Sequence, residues 1–101
     1  MERMQADESV FDEFFELFLG EMVSQVQQIT EAVEAGDAHL LERTAHTLKG
    51  AAAGMCAERV RDAAFRLEKL GRSGDLTGAN ESLTALNREI ALLSEAAEQN
   101  Q

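Results

Sequence analysis

The chain has 101 residues, a length that suits one domain, and its lack of proline, tryptophan and tyrosine favours helix over sheet. Its formal net charge of -10 disfavours binding through a basic patch to nucleic acid or to an anionic membrane surface. The single cysteine, Cys56, excludes an internal disulfide and a multi-cysteine metal site.

The first predicted helix runs from about Asp7 to Ala35, because apolar residues recur there at helical spacing. The segment "AGD" then interrupts the pattern. Gly36 suits the end of a helix, and Asp37 suits the N-cap of the next one. The predicted inward face of the first helix consists of Phe11, Phe14, Phe15, Phe18, Met22, Val26, Ile29 and Val33.

Three further helices are predicted at about 38–55, 58–72 and 76–97, each with one apolar stripe. The loops between them are short, so neighbouring helices run antiparallel. We therefore expect an all-α fold, an antiparallel up-down-up-down four-helix bundle whose core spans residues 8–97. The predicted inward residues are Leu41, Thr44, Leu48, Ala51, Ala52, Met55, Val60, Ala63, Ala64, Leu67, Gly71, Leu76, Ala79, Leu83, Leu86, Ile90, Leu93 and Ala97.

The N-terminal segment "MERMQADESV" lacks the apolar stretch of a signal peptide, and no run of about 20 apolar residues follows. A single unpaired cysteine also fits a reducing compartment. We expect a cytoplasmic location and no contact with a membrane.

The second predicted helix carries a polar face opposite its apolar stripe. His46 lies at the centre of this face and should point to solvent. An incidental surface histidine is the alternative that this helix alone leaves open. The face consists of His39, Glu42, Arg43, His46, Lys49, Gly50 and Ala53.

The residues that follow His46 favour a reactive histidine. Gly50 and Ala53 come about one and two turns later, and they clear side chains from the surface beside the imidazole. Lys49 keeps a cation within reach. A phosphorylated imidazole requires this combination of an accessible nitrogen, free space and a positive charge.

Glu68 is predicted to lie level with His46, because the two residues are equally far in sequence from the reversal near Ala57. Its carboxylate would accept a hydrogen bond from Nδ1–H of His46, which leaves Nε2 as the outward nucleophile. The alternative is a surface ion-pair partner, since the handedness of the bundle decides whether Glu68 faces the second helix.

The segment "AHTLKGAAAGM" resembles the central motif of the histidine-containing phosphotransfer (HPt) domain, His-x-Leu-Lys-Gly followed by small residues. "AGD" resembles the usual turn of that family, and "AFRLEKLGRSGD" resembles its third helix and following loop. The resemblance covers about residues 10–93. It implies a four-helix bundle, one HPt domain over residues 1–101, and a place in a two-component phosphorelay.

The resemblance also implies residue roles. His46 would accept a phosphoryl group from the aspartyl phosphate of a receiver domain and pass it to another receiver aspartate. Lys49 would neutralise the phosphoryl oxygens, Glu68 would orient the imidazole, and Gly50 would admit the receiver, with Arg43 and Ala53 on the same binding face.

The implied partners are response-regulator receiver domains and a hybrid sensor histidine kinase, in the same chain or another, with this domain a monomer. We expect no cofactor of its own, because the receiver would supply the divalent metal. No Gly-rich nucleotide loop is present, so autonomous kinase activity is not expected.

An apolar part of the receiver-binding patch is predicted at Leu19 and Val23, which lie off the main stripe of the first helix. Counted from Gly36, Val23 and His46 fall at similar heights. The alternative is packing at the edge of the core.

Three other functions are considered. A metal-binding bundle is disfavoured because His39 and His46 are seven residues apart, which spans about 10.5 Å along a helix, too far to share one ion. A degenerate HPt domain acting as a non-catalytic interaction module would have lost the histidine or the lysine, and both are present. Direct phosphorylation by a histidine kinase domain stays open beside the receiver-fed relay.

Overall fold

The structure, a computed structural model, describes the backbone of residues 2–99 and the side chains of residues 16–96. Its four helices are α1 (Glu2–Ala35), α2 (Ala38–Gly54), α3 (Glu58–Ser73) and α4 (Ala79–Gln99), with no strand in the described residues. The predicted all-α four-helix bundle is confirmed. In the described part of the chain, no helix combines the length and the apolarity that a membrane span requires.

The break between α1 and α2 forms as its residues predict. Gly36 has a φ of +68°, in the region that favours glycine, and ends α1. Asp37 is the N-cap of α2, where its Oδ1 accepts a hydrogen bond from the backbone N–H of Leu40 at 3.0 Å. This bond satisfies one of the amides that the first turn leaves without a helical partner.

Two predicted helix starts are wrong. α1 begins at Glu2 instead of Asp7, and α4 begins at Ala79 instead of Leu76. The delay of α4 has a local cause, because Oδ1 of Asp75 accepts the N–H of Thr77 at 3.0 Å and holds a turn.

Each helix packs against its two neighbours around the bundle, in the pairs α1–α2, α2–α3, α3–α4 and α1–α4. Among the described residues the backbones of the diagonal pairs α1–α3 and α2–α4 do not approach each other closely. A side chain of α1 that lies outside the core is therefore beside either α2, which carries His46, or α4.

The core consists mainly of the predicted inward residues. Ala32, Ala45 and Glu68 are buried in addition to them. Phe11, Phe14, Phe15 and Ala97, which were predicted to face inward, lie outside the described side chains. The predicted residues that are fully buried or nearly so are Met22, Val26, Ile29, Leu41, Thr44, Leu48, Ala52, Val60, Ala63, Ala64, Leu67, Gly71, Ala79, Leu86 and Ile90.

Gly71 fixes how closely α3 approaches α2. A Cβ at this position would lie 2.5 Å from the backbone nitrogen of Glu42 and 2.7 Å from the carbonyl oxygen of Ala38. Because both neighbours are backbone atoms of α2, no side-chain rotation relieves the clash. The absent side chain lets the two helices meet at this level, one turn from Glu68.

Candidate functional site: a histidine held by a buried carboxylate

His46 lies in the middle of α2 on the face directed away from the core, and 67% of its side chain is exposed. Gly50 and Ala53 are exposed on the same helix. A Cβ built on Gly50 meets no atom within 4 Å, so the surface one turn beyond the histidine is open. The predicted outward position of His46 and Gly50 is confirmed.

Glu68 of α3 contacts the imidazole as predicted, with its Oε2 3.0 Å from Nδ1 of His46. The alternative of a surface ion-pair partner is wrong, because Glu68 is only 2% exposed. Its place off the apolar stripe of α3 predicts an exposed flank, but the close approach of α2 at Gly71 covers that flank. The structure therefore places a carboxylate beneath an exposed imidazole.

Two cations compensate the buried charge of Glu68. Nη2 of Arg72 donates to Oε2 at 2.9 Å, while Nζ of Lys49 lies 2.7 Å from Oε1. The two cations thus contact different oxygens of the same carboxylate. Nε of Arg72 also donates to Oε2 of Glu42 at 3.1 Å, which ties α3 to α2.

The protonation of Glu68 determines the tautomer of His46. Burial raises the pKa of Glu68, but the contacts with Lys49 and His46 outweigh it, so that the pKa lies below its ordinary value. At neutral pH the carboxylate is ionised and accepts hydrogen bonds only. Nδ1 of His46 must then carry the hydrogen, which leaves the lone pair on Nε2.

Phe65 lies beside this group and is 39% exposed. Its ring centroid is 4.8 Å from Nζ of Lys49 and 4.7 Å from Nζ of Lys69, so two ammonium groups flank one aromatic ring. In a chain with a net charge of -10, Lys49 and Lys69 place two positive charges beside Phe65.

Comparison with known proteins agrees with this geometry. Residues 13–96 match the family model described as "Hpt domain", which is most of the chain. The chain belongs to the Hpt domain family. The resemblance carried by "AHTLKGAAAGM" and its flanking segments is thereby confirmed.

A solved structure shares the Hpt fold over nearly the whole chain. The chain is similar to histidine-containing phosphotransfer protein B (HptB) from Pseudomonas aeruginosa PAO1, with 25% sequence identity and a TM-score of 0.87. The similarity covers 98% of this chain and 86% of that one. No curated protein sequence matches the chain.

The docking role of Leu19 and Val23 stays a prediction for this Hpt domain. Val23 is half exposed, but it lines a groove between α1 and α4 together with Asn87 and Ile90. Leu19 is partly buried and packs against the core, which was the alternative for it. This groove and the cleft beside His46 have no lining residue in common.

Arg43 does share a surface cleft with the histidine of the Hpt domain. Thr47 follows it by one turn, and Gln28 of α1 closes the side of the cleft. The residues that line this cleft are Gln28, Leu40, Glu42, Arg43, Thr44, His46, Thr47, Glu68 and Arg72.

Two residues beside the site were not singled out from the sequence. Arg72 follows Glu68 by four residues, a spacing at which an arginine reaches a carboxylate on the same helix. Phe65 is a large aromatic residue off the apolar stripe of α3, and this position indicates a role other than packing in the core. Both features are visible in the sequence. The burial of Glu68, which makes its contact with Arg72 important, is not.

The lowered pKa of Glu68 predicts a dependence of the stability of this Hpt domain on pH. A carboxyl whose pKa is depressed by folding stabilises the folded state above its ordinary value, 4.5, and loses this contribution as the pH falls through the folded-state pKa. Glu68→Gln should therefore be less stable than the wild type at neutral pH, by about 1–3 kcal/mol.

Urea unfolding of the wild type and of Glu68→Gln at a series of pH values tests this expectation. The difference in unfolding free energy should narrow once the pH falls below 4.5. A difference that stays constant into that range would contradict the ionised, cation-paired state of Glu68.

Proposed function

We propose that this chain is a histidine phosphotransfer carrier of a two-component system. In this proposal His46 accepts a phosphoryl group on Nε2 from the aspartyl phosphate of a receiver domain and passes it to the aspartate of another receiver. One observation carries the proposal: the Nδ1 atom of an imidazole that is 67% exposed lies 3.0 Å from a buried carboxylate. Membership of the Hpt family supports it.

The transfer step balances without a further reactant. The lone pair on Nε2 attacks phosphorus, a P–N bond forms, and the P–O bond to the donor aspartate breaks so that its carboxylate leaves. The imidazole ring becomes positively charged as the bond forms. Glu68 stabilises that charge through Nδ1–H, and no proton has to leave Nε2.

The proposed role of Lys49 is to offset the charge of the phosphoryl group, which adds about -1.5 to -2 at neutral pH. Before transfer, the cations Lys49 and Arg72 balance the carboxylates of Glu68 and Glu42, so these four residues carry no excess positive charge. The receiver domain would contribute the divalent metal and the acidic pocket, and this chain needs no cofactor for the step.

The proposed docking face surrounds His46 and consists of Arg43, Gly50, Ala53 and Phe65. Gly50 and Ala53 have small side chains or none, so little projects from the surface beside His46. The exposed ring of Phe65 offers apolar area beside the ammonium groups of Lys49 and Lys69. Such a surface fits the acidic, metal-binding end of a receiver domain. We place the relay in the cytoplasm.

Gly50→Gln tests the open surface. The variant should fold and gain up to about 1 kcal/mol of stability, because glycine is unfavourable in an exposed helix. Its transfer rate should fall at least about tenfold, equivalent to about 1.4 kcal/mol, since the new side chain occupies space that the receiver needs.

Gly20→Gln is the matched control for Gly50→Gln. Gly20 is exposed in α1, and a Cβ there also meets nothing within 4 Å. The control should gain similar stability and transfer at the wild-type rate. Equal transfer rates for both variants would remove the proposed reason for the glycine at position 50.

The proposed function is tested with the wild-type chain and a panel of receiver domains carrying labelled aspartyl phosphate. Label should move to the chain, and it should be labile in acid and stable in base, as expected for phosphohistidine. A histidine kinase domain with labelled ATP is the parallel arm, which identifies direct phosphorylation. No uptake from any receiver or kinase, or an acid-stable label, would contradict the proposal.

A further inference from the structure

Arg72 is the residue near His46 that the proposed chemistry leaves without a role. It is on the last turn of α3 and donates to the same Oε2 atom of Glu68 that faces Nδ1 of His46. Its Nε is also bound by Glu42 of α2. Arg72 is therefore held from both sides, and its contact with Glu68 does not depend on Lys49.

The two cations contact Glu68 in different ways. Arg72 donates to Oε2 of Glu68 and also to Glu42, whereas Lys49 contacts Oε1 of Glu68 and no second carboxylate among the described residues. Lys49 also lies near the ring of Phe65; 27% of its side chain is exposed, against 60% for Arg72. A lysine with one carboxylate partner can exchange that partner at lower cost than an arginine bound to two carboxylates.

The phosphoryl group needs a cation that the resting cluster does not have free. If Lys49 turned to the phosphoryl oxygens and Glu68 had no other partner, a buried carboxylate would be left uncompensated, which is strongly unfavourable. Arg72 removes this obstacle, because its hydrogen bond to Oε2 remains when Lys49 leaves Oε1.

We infer that Arg72 is a positioning residue that holds Glu68 against His46 and thereby frees Lys49 to exchange from the carboxylate to the phosphoryl group. This inference rests on the proposed function for its second half, the exchange. Its first half, the holding of Glu68, concerns the resting protein and can be tested without any phosphoryl donor.

The resting-state test uses ¹⁵N NMR of His46, whose chemical shifts report which ring nitrogen carries the hydrogen. Lys49→Met should keep the Nδ1–H tautomer, because Arg72 alone holds Glu68. Lys49→Met combined with Arg72→Met should lose that preference. Loss of the preference in Lys49→Met alone would overturn the holding role.

The transfer test compares variants of Arg72 in single-turnover phosphotransfer from one receiver. Arg72→Met should slow transfer by about tenfold, comparable with the loss when a group that orients a metal-bound histidine is removed. The receiver concentration at half-maximal rate should not change, because docking is intact. Arg72→Lys should recover most of the rate, since it keeps a cation at Glu68.

Arg59→Met is the matched control. Arg59 lies on α3 with 81% of its side chain exposed and is 3.8 Å from Glu89, so the variant removes one charge from the same helix away from the site. It should transfer at the wild-type rate. Wild-type transfer by Arg72→Met would overturn the inference, as would an equal loss in Arg59→Met.

The two proposals fail in distinguishable ways. A wild type that takes up no label contradicts the carrier function, while the tautomer of Lys49→Met still decides whether Arg72 holds Glu68. If Arg72→Met does not fold, Arg72→Lys and the tautomer measurement on Lys49→Met keep the inference open to contradiction.

Discussion

Replacement of His46 by glutamine is expected to reduce phosphoryl uptake to background. The amide of glutamine has no basic lone pair, so the variant has no nucleophile where Nε2 was. The fold should persist, because 67% of the His46 side chain is exposed and Lys49 and Arg72 still compensate the charge of Glu68. The measurement is labelled transfer from a phosphorylated receiver, with circular dichroism as the check on folding.

His39→Gln is the matched control for His46→Gln. His39 is the other histidine of the chain and is exposed near the start of α2, about two turns before His46. The control should take up label like the wild type. Retention of label by His46→Gln, or its loss in His39→Gln, would mean that the phosphoryl group is carried elsewhere.

Gly71→Ala is expected to reduce the stability of the fold by forcing α2 and α3 apart. The new Cβ would lie 2.5 Å from N and 2.9 Å from Cα of Glu42, so that α2 and α3 have to separate. Because the clash is with backbone atoms, we take the upper end of the cost of overpacking, about 3 kcal/mol, and the better helix propensity of alanine returns about 1 kcal/mol. We expect a net loss of about 2 kcal/mol and a fall in Tm of roughly 10 °C.

Gly50→Ala has the opposite expected sign and serves as the control. Its Cβ enters open space in an exposed helix, so stability should rise by about 0.5–1 kcal/mol. Thermal unfolding of the two variants beside the wild type makes the comparison. A Gly71→Ala variant as stable as Gly50→Ala would contradict the close packing of α2 on α3.

The separation of α2 and α3 in Gly71→Ala should also disturb the contact between His46 and Glu68. Glu68 is one turn from Gly71 on α3, and its partner His46 is on α2, so a wider gap lengthens the contact between Nδ1 and Oε2. Phosphoryl transfer should therefore be slower in Gly71→Ala even where the variant remains folded. This effect would link the packing of the bundle to the chemistry of the site.

The equal height of His46 and Glu68 was predictable from the sequence, whereas the handedness of the bundle, which decides whether Glu68 faces α2, was not. Helical periodicity gives the outward face of α2, and a short reversal places residues at equal distances from Ala57 side by side. Neither helical periodicity nor the length of the reversal gives the distance between α2 and α3. The burial of Glu68 depends on how closely Gly71 approaches the backbone of Glu42, and that approach is a property of the assembled pair of helices.

Two further features lie beyond what helical periodicity gives. Leu19 and Val23 were grouped with His46 by height along the bundle, but height does not determine which groove of α1 a residue faces, so their docking role stays a prediction. Val23 faces α4, and the handedness of the bundle decides this. The start of α4 was missed because one side chain, Asp75, captures the N–H of Thr77 and delays the helix.

The central claim is that Nε2 of His46 carries the phosphoryl group while Glu68 holds Nδ1–H. The most direct measurement is combined ³¹P and ¹⁵N NMR of the chain, labelled with ¹⁵N in histidine and phosphorylated by a receiver or kinase. The account predicts one phosphorylated nitrogen, Nε2 of His46, with Nδ1 of the same ring still protonated. A phosphoryl group on Nδ1, on His39 or on an oxygen would contradict it.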